Sequence, residues 1–187
     1  MSVLNRDSTD SIPFQPLPRN FYDRDTITVA RELIGSRLIR NIDNQMIVTR
    51  IVETEAYLPN DEASHSFRGK TQRNAAMFAA PGTCYVYFIY GMYYCLNVAT
   101  EAENIGAAVL IRGLDNIENC NGPGKLCKNL QIDRTMNGID LTDKSSPLWI
   151  AEANEIQLTI AVTPRIGISK NKEPLWRFCL QSQYHLR

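Results

Sequence analysis

The sequence predicts a single α/β domain built on largely antiparallel strands. Three observations lead there. The chain has 187 residues, 44% of them apolar and 21% charged, enough for one well-buried core and short for two. Tyr85 to Val98 places two aromatic, β-prone runs on either side of Gly91-Met92, which predicts a hairpin. Thr26 to Ile34 has the apolar spacing of a short amphipathic helix.

The elements follow in order. Residues 1–18 carry Pro13, Pro16 and Pro18 and read as a flexible arm ahead of one domain over 19–187. No basic segment followed by an apolar run opens the chain, so no secretory signal is expected. No stretch approaches the roughly 18 apolar residues of a membrane helix. Asp25 can cap the first helix, Val29, Ala30, Leu33 and Ile34 give it an apolar face, and Gly35 suits its end. Leu38–Arg40 and Gln45–Glu55 read as strands around the turn Ile42-Asp43-Asn44. A loop passes Pro59, Asn60 and Asp61, and Thr71–Phe78 reads as a short helix before Pro81-Gly82. In the hairpin, Gly91 suits the first central position of a type II′ turn. Ala107–Arg112 reads as a buried strand, and Gly122-Pro123-Gly124-Lys125 precedes a helix through Leu130. Gln157–Val162 and Trp176–Leu180 complete the expected sheet.

Five cysteines with no Cys-x-x-Cys pair and only two histidines argue against structural zinc and for buried, reduced thiols. The formal net charge of zero argues against a protein that coats nucleic acid by bulk electrostatics. It leaves room for local basic faces. Arg68, Lys70 and Arg73 form one, and Lys125, Lys128 and Arg134 form another.

Glu53 and Glu55 lie two apart on a strand and so share a face. Either one is exposed and one salt-bridged, or a carboxylate there activates water for attack on an acetal-like carbon. Arg112 ends an apolar run, where it needs an anion or a bonded water; it either makes a structural ion pair or helps Glu55 hold that water. Tyr85, Tyr87, Tyr90, Tyr93 and Tyr94 crowd the hairpin on both faces, more than one core absorbs. Core packing suits Tyr85, Phe88 and Tyr94. Tyr90, directly before the turn, suits a wedge entering a base stack. Tyr57, His65 and Tyr87 would then stack on an extruded base. Backbone amides around Gly124, with Lys125, form either a phosphate contact or a plain turn. Two other readings compete: a damage reader without catalysis, and a carbohydrate hydrolase using Glu53 and Glu55 at roughly 6–7 Å.

Taken together, these segments resemble the alkyladenine (3-methyladenine) DNA glycosylase family. The resemblance runs from Asn20-Phe21-Tyr22 to about Leu180. It includes Ala30–Gly35, Ile51–Tyr57, Ala63-Ser64-His65-Ser66, Arg73-Asn74, Met77-Phe78, Pro81 through Asn97, Gly122–Cys127 and Pro164–Ile168. It implies a curved, largely antiparallel sheet with flanking helices and a protruding β-hairpin that enters the DNA minor groove. It implies a monofunctional hydrolase of base excision repair, with no metal and no organic cofactor. Such an enzyme acts as a monomer on double-stranded DNA containing a damaged purine, without a membrane or an obligate protein partner. Its place would be the cytoplasm of a bacterium, at the nucleoid, or a eukaryotic nucleus. Carried onto this chain, Glu55 is the general base and Arg112 positions the water, with the backbone carbonyl near Ile166 as a third contact. Tyr90 fills the gap left by the flipped nucleotide. Tyr57, His65 and Tyr87 wall the base pocket, with Cys95 nearby and Asn97 against the guanine amino group. Arg68, Lys70, Arg73, Gly124 and Lys125 meet phosphates.

Overall fold

The fold turns on one 13-residue strand whose two edges serve different neighbours along its length. The structure, a computed structural model, describes residues 3–5, 14–116, 118, 120–152 and 158–184. These form strand β1 (Val3–Asn5), helices α1 (Arg19–Tyr22) and α2 (Thr26–Glu32), and strands β2 (Arg37–Ile42), β3 (Gln45–Tyr57), β4 (Cys84–Ile89), β5 (Tyr93–Ala99) and β6 (Ala108–Asp115). Helix α3 (Pro123–Asn129), strands β7 (Leu148–Ala151), β8 (Ile160–Thr163) and β9 (Arg177–Leu180), and helix α4 (Gln181–Tyr184) follow. The sheet runs β4-β5-β6-β3-β2-β7, all antiparallel. The first half of β3 pairs β2, whereas Glu53–Glu55 pairs β9, so the sheet curls into a half-barrel.

Local chemistry explains several elements. The Asp25 side chain accepts from the Thr28 amide at 2.8 Å, a cap that contributes about 1 kcal/mol, and Val29, Ala30 and Leu33 are buried. Asp43 and Asn44 both adopt positive φ, the pattern of a type I′ turn between β2 and β3. Residues Ile51 to Ala56 are buried on both faces of β3. Thr54 turns toward α2 and donates to the Ala30 carbonyl at 2.7 Å. Glu53 and Glu55 therefore point to the opposite side, beneath β6, β9 and residues 164–166.

Some expectations need correction. Of Thr71–Phe78, only Ala75–Phe78 is helical, as a 3-10 turn, because the Asn74 side chain takes the Thr71 amide and hydroxyl instead. The hairpin turn has positive φ at both Tyr90 (+54°) and Gly91 (+68°), and the Met92 amide bonds the Ile89 carbonyl. That is the type I′ pattern with Gly91 second, not type II′ with Gly91 first. Strand β7 has no counterpart in the sequence reading. Of the expected arm, Val3–Asn5 pairs β3, the Leu17 amide donates to Ile150, and Trp149 Nε1 donates to the Phe14 carbonyl. The rest of that arm before Phe14, and Gln157 of the expected late strand, lie outside the described residues. All five cysteines are buried and free. Among the described residues no helix is long and apolar enough to cross a membrane.

Candidate active site

Paired irregularities bring the site together. Glu53 faces Gly113 and Thr54 faces Ile111, so Arg112 is the extra residue of β6; Val52 is the extra residue of β3. A bulge of this kind re-aims a side chain. Here it sends Arg112 across both carboxylates, with Nε on Glu53 Oε1 at 3.2 Å and Nη1 on Glu55 Oε2 at 3.3 Å. The expectation of one exposed carboxylate does not hold, because both are fully buried. Glu53 also accepts from Arg177 Nε at 2.7 Å.

Glu55 collects three donors. Tyr57 Oη donates to Oε2 at 2.8 Å, Arg112 Nη1 donates to the same oxygen, and the Ile166 amide donates to Oε1 at 2.9 Å. A carboxylate has about four lone-pair positions, so roughly one remains for a water. The Ile166 contact is through the amide nitrogen; the expected carbonyl contact would be to a water. Burial and the neighbouring Glu55 raise the Tyr57 phenol well above its ordinary range, so Tyr57 acts as a neutral donor.

Two adjoining cavities meet over these groups. The smaller, about 140 Å³, is lined by Tyr57, His65, Met77, Tyr85, Tyr87 and Asn97 among others. The larger, about 370 Å³, is lined by Tyr57, Tyr87, Tyr90, Cys95, Arg112, the Gly122–Lys125 turn and Ile166 among others. Tyr57 and Tyr87 border both. Glu55 lines neither; it lies directly behind Tyr57, Arg112 and Ile166, which all line the larger one. A water in contact with Glu55 would have to stand where those three meet. A cavity of about 640 Å³ along Phe14–Arg24 holds none of these groups.

His65 Nδ1 bonds Tyr85 Oη at 2.9 Å, and its ring meets Tyr87 edge-on at 4.5 Å. The residue is exposed as a whole, but desolvation of its ring against Tyr85 and Tyr87, then the Arg73 charge, lower its pKa, so the imidazole is neutral at neutral pH. Tyr85 is thus part of this site rather than simple core, and burial pushes its phenol up to about 12. The Asn97 amide nitrogen donates to the Tyr85 and Cys95 carbonyls at 3.0 and 3.3 Å, which orients its Oδ1 as the remaining polar atom. Cys95 is buried beside Tyr87, and burial raises its thiol pKa.

Tyr90 is 76% exposed at the tip, and Phe88, expected in the core, is also exposed. Arg68 and Lys70 are exposed on the loop after His65. Arg73 Nη2 reaches the Phe88 carbonyl at 3.2 Å, which ties that loop to the hairpin. Lys125 Nζ bonds Asn121 at 3.2 Å at the exposed start of α3. Gly124 lies under Tyr93: a Cβ there would stand 2.8 Å from the ring. Gly124→Ala is expected to tilt the hairpin and cost about 1–3 kcal/mol. Thermal melting checks this, with Lys125→Ala as the surface control that leaves the melting temperature in place.

Sequence reasoning assigned no role to Arg165 and Asp61, which brace this site. Both are fully buried and doubly paired, with Nη2 to Oδ1 at 3.0 Å. Arg165 also donates to the Ala56 carbonyl at 3.0 Å and stacks on Tyr57 and Trp176 at 4.6 and 5.0 Å. Asn74 is a second brace, holding the His65 and Gly69 carbonyls at 2.9 and 3.1 Å.

The sequence profile of methylpurine-DNA glycosylase (MPG) matches residues 20–184. A protein of Wolbachia sp. subsp. Brugia malayi is 51% identical over 167 residues, covering 87% of this chain and 95% of its own. One from Ehrlichia chaffeensis is 49% identical over 176 residues, covering 90% and 95%. One from Carboxydothermus hydrogenoformans is 42% identical, covering 91% and 97%. The names of all three include the words 3-methyladenine DNA glycosylase.

Proposed function

The chain belongs to the methylpurine-DNA glycosylase family, and from that premise we propose that it flips an alkylated or deaminated purine out of duplex DNA and hydrolyses its N-glycosidic bond with a water activated by Glu55. The candidates are 3-methyladenine, 7-methylguanine and hypoxanthine. The observation that carries this reading is the buried carboxylate of Glu55, held by three donors beneath the junction of an aromatic cavity and a second cavity open to the hairpin.

The flipped base stacks among Tyr57, His65 and Tyr87. Asn97 meets the guanine amino group, and because its Oδ1 is an acceptor, exclusion there acts through space rather than charge. The sugar lies over Arg112 and Ile166, where the water attacks the anomeric carbon as the base departs. The water gives its proton to Glu55. A purine alkylated at N3 or N7 is already cationic and leaves without a general acid; hypoxanthine needs a proton donor. The hairpin enters the minor groove, Tyr90 fills the vacated stack, and Arg68, Lys70, Arg73, Gly124 and Lys125 meet phosphates. With no lysine to form a Schiff base in this scheme, the product is an abasic site in an uncut strand. The protein works as a monomer, and its place is the DNA of the cell, the nucleoid in a bacterium. The scheme uses no metal or cofactor.

Tyr90 supplies a test in which stability and activity part company. Its left-handed φ costs about 1–2 kcal/mol. Tyr90→Asn is expected to raise the melting temperature and to lower single-turnover base release by about 5- to 150-fold, the loss expected when a stacking contact of about 1–3 kcal/mol is removed. Unchanged release would remove Tyr90 from the flipping step.

A further inference from the structure

Glu53 is as buried as Glu55 but touches neither cavity. It stands in an alternating series of charges. Arg177 Nε donates to Glu53 Oε1, Arg112 Nε donates to the same oxygen, and Arg112 Nη1 donates to Glu55. Arg177 faces Glu55 across the β3–β9 pairing and fixes its other end on Thr163 Oγ1 at 3.0 Å. The four charges cancel in pairs. We propose that Glu53 is a positioning residue: it anchors Arg112 over Glu55 and neutralises it, so that the sugar cation forming at the anomeric carbon does not face an uncompensated guanidinium. This rests on the glycosylase reading and deepens it.

The reason is electrostatic. The transition state of glycosidic cleavage carries positive charge on the sugar. Arg112 is useful there for orienting Glu55 and the water but harmful as a bare cation. In a water-poor site a unit charge at such range matters far more than in bulk solvent. The other titratable groups around Glu55 do not supply the missing anion. Tyr57 on β3, Cys95 on β5 and Cys179 on β9 all have pKa values raised by burial and are neutral. Arg165, behind Tyr57, is already paired with Asp61. Lys125, across the larger cavity, is exposed and cationic.

The test is the pH profile of single-turnover release of an N-alkylated purine from duplex DNA. That leaving group carries its charge throughout, so the acid limb reports the base. Glu53→Gln leaves Arg112 and Arg177 with Glu55 as their one remaining carboxylate, a cation in excess: the acid limb is expected to move about one unit to lower pH, and the plateau to fall roughly ten-fold or more. Arg177→Gln removes a cation from the same series: its acid limb is expected to move to higher pH. Arg177→Lys keeps the charge and is expected to keep the limb. Opposite shifts from the two neutralising variants establish the proposal, and folding of either one alone allows its own shift to be scored. Limbs that stay in place, or move in the same direction, in variants that melt cooperatively overturn it. Absence of base release by the wild type would instead overturn the glycosylase mechanism on which it rests.

Discussion

Glu55→Gln is expected to lower the single-turnover release of a damaged purine by about 100- to 10,000-fold, the range over which general bases contribute, while leaving duplex binding close to wild type. The substitution is nearly isosteric, so Tyr57, Arg112 and the Ile166 amide stay within reach of the side chain. What changes is basicity and hydrogen-bond polarity. All three neighbours are donors, and the amide nitrogen of glutamine must face one of them. An unpaired buried donor costs about 1–3 kcal/mol, so a modest drop in melting temperature accompanies the loss of rate. Binding is expected to be retained because Tyr90 and the basic residues proposed to meet DNA are untouched. A loss of rate matched by an equal loss of binding would instead make Glu55 a structural carboxylate. Retained activity would remove it from the reaction.

Arg165→Met is expected to be the most destabilising single change in the site, at about 3–5 kcal/mol, because it leaves Asp61 buried beside only its weaker donors. At this chain length each kcal/mol lowers the melting temperature by about 2–4 °C. Burial works to raise the Asp61 carboxyl pKa, but hydrogen bonds from Arg165, Asn171 and Ala63, with the Arg165 charge, outweigh it and hold the group below its ordinary range. The sign of the pH effect follows. A carboxyl with a depressed folded-state pKa adds stability above its unfolded value, and that stability is lost as pH falls through the folded value. Wild-type stability should therefore decline in acid below about pH 4, and Arg165→Met should show a flatter decline. Adding Asp61→Asn to Arg165→Met should recover part of the loss, since the stranded charge is gone. If the double variant is less stable than Arg165→Met, the buried pair is not the source of the effect.

What the sequence revealed depended on how locally each feature is specified. The Asp25 cap, the helix it starts, the two strands around Asp43-Asn44 and the tyrosine hairpin are written in neighbouring residues, and all are present. The turn type was not legible, because both primed turns accept glycine and only the fold decides which central position it takes. The outcome places Tyr90 in a strained backbone region, a departure from local preference at the residue assigned to the flipping step. Glu53 and Glu55 were recognisable as a same-face pair, but their shared burial was not, because it depends on β9 and residues 164–166 closing over them. The Asp61–Arg165 pair spans 104 positions, and no local pattern announces it. Tyr85 looked like core because it is core by burial; its hydrogen bond to His65 exists only once the loop is folded by Asn74.

The most direct measurement is the release of free base from duplex DNA carrying N-methylated purines, followed by inspection of the strand. Chromatography detects the base, and mild alkali reveals abasic sites. Free methylated purine is expected in a yield equal to the alkali-sensitive sites, with an uncut strand before alkali and no protein–DNA adduct after borohydride. No free base from the wild-type protein, or a borohydride-trapped adduct with strand cleavage, would contradict hydrolysis by a Glu55-activated water.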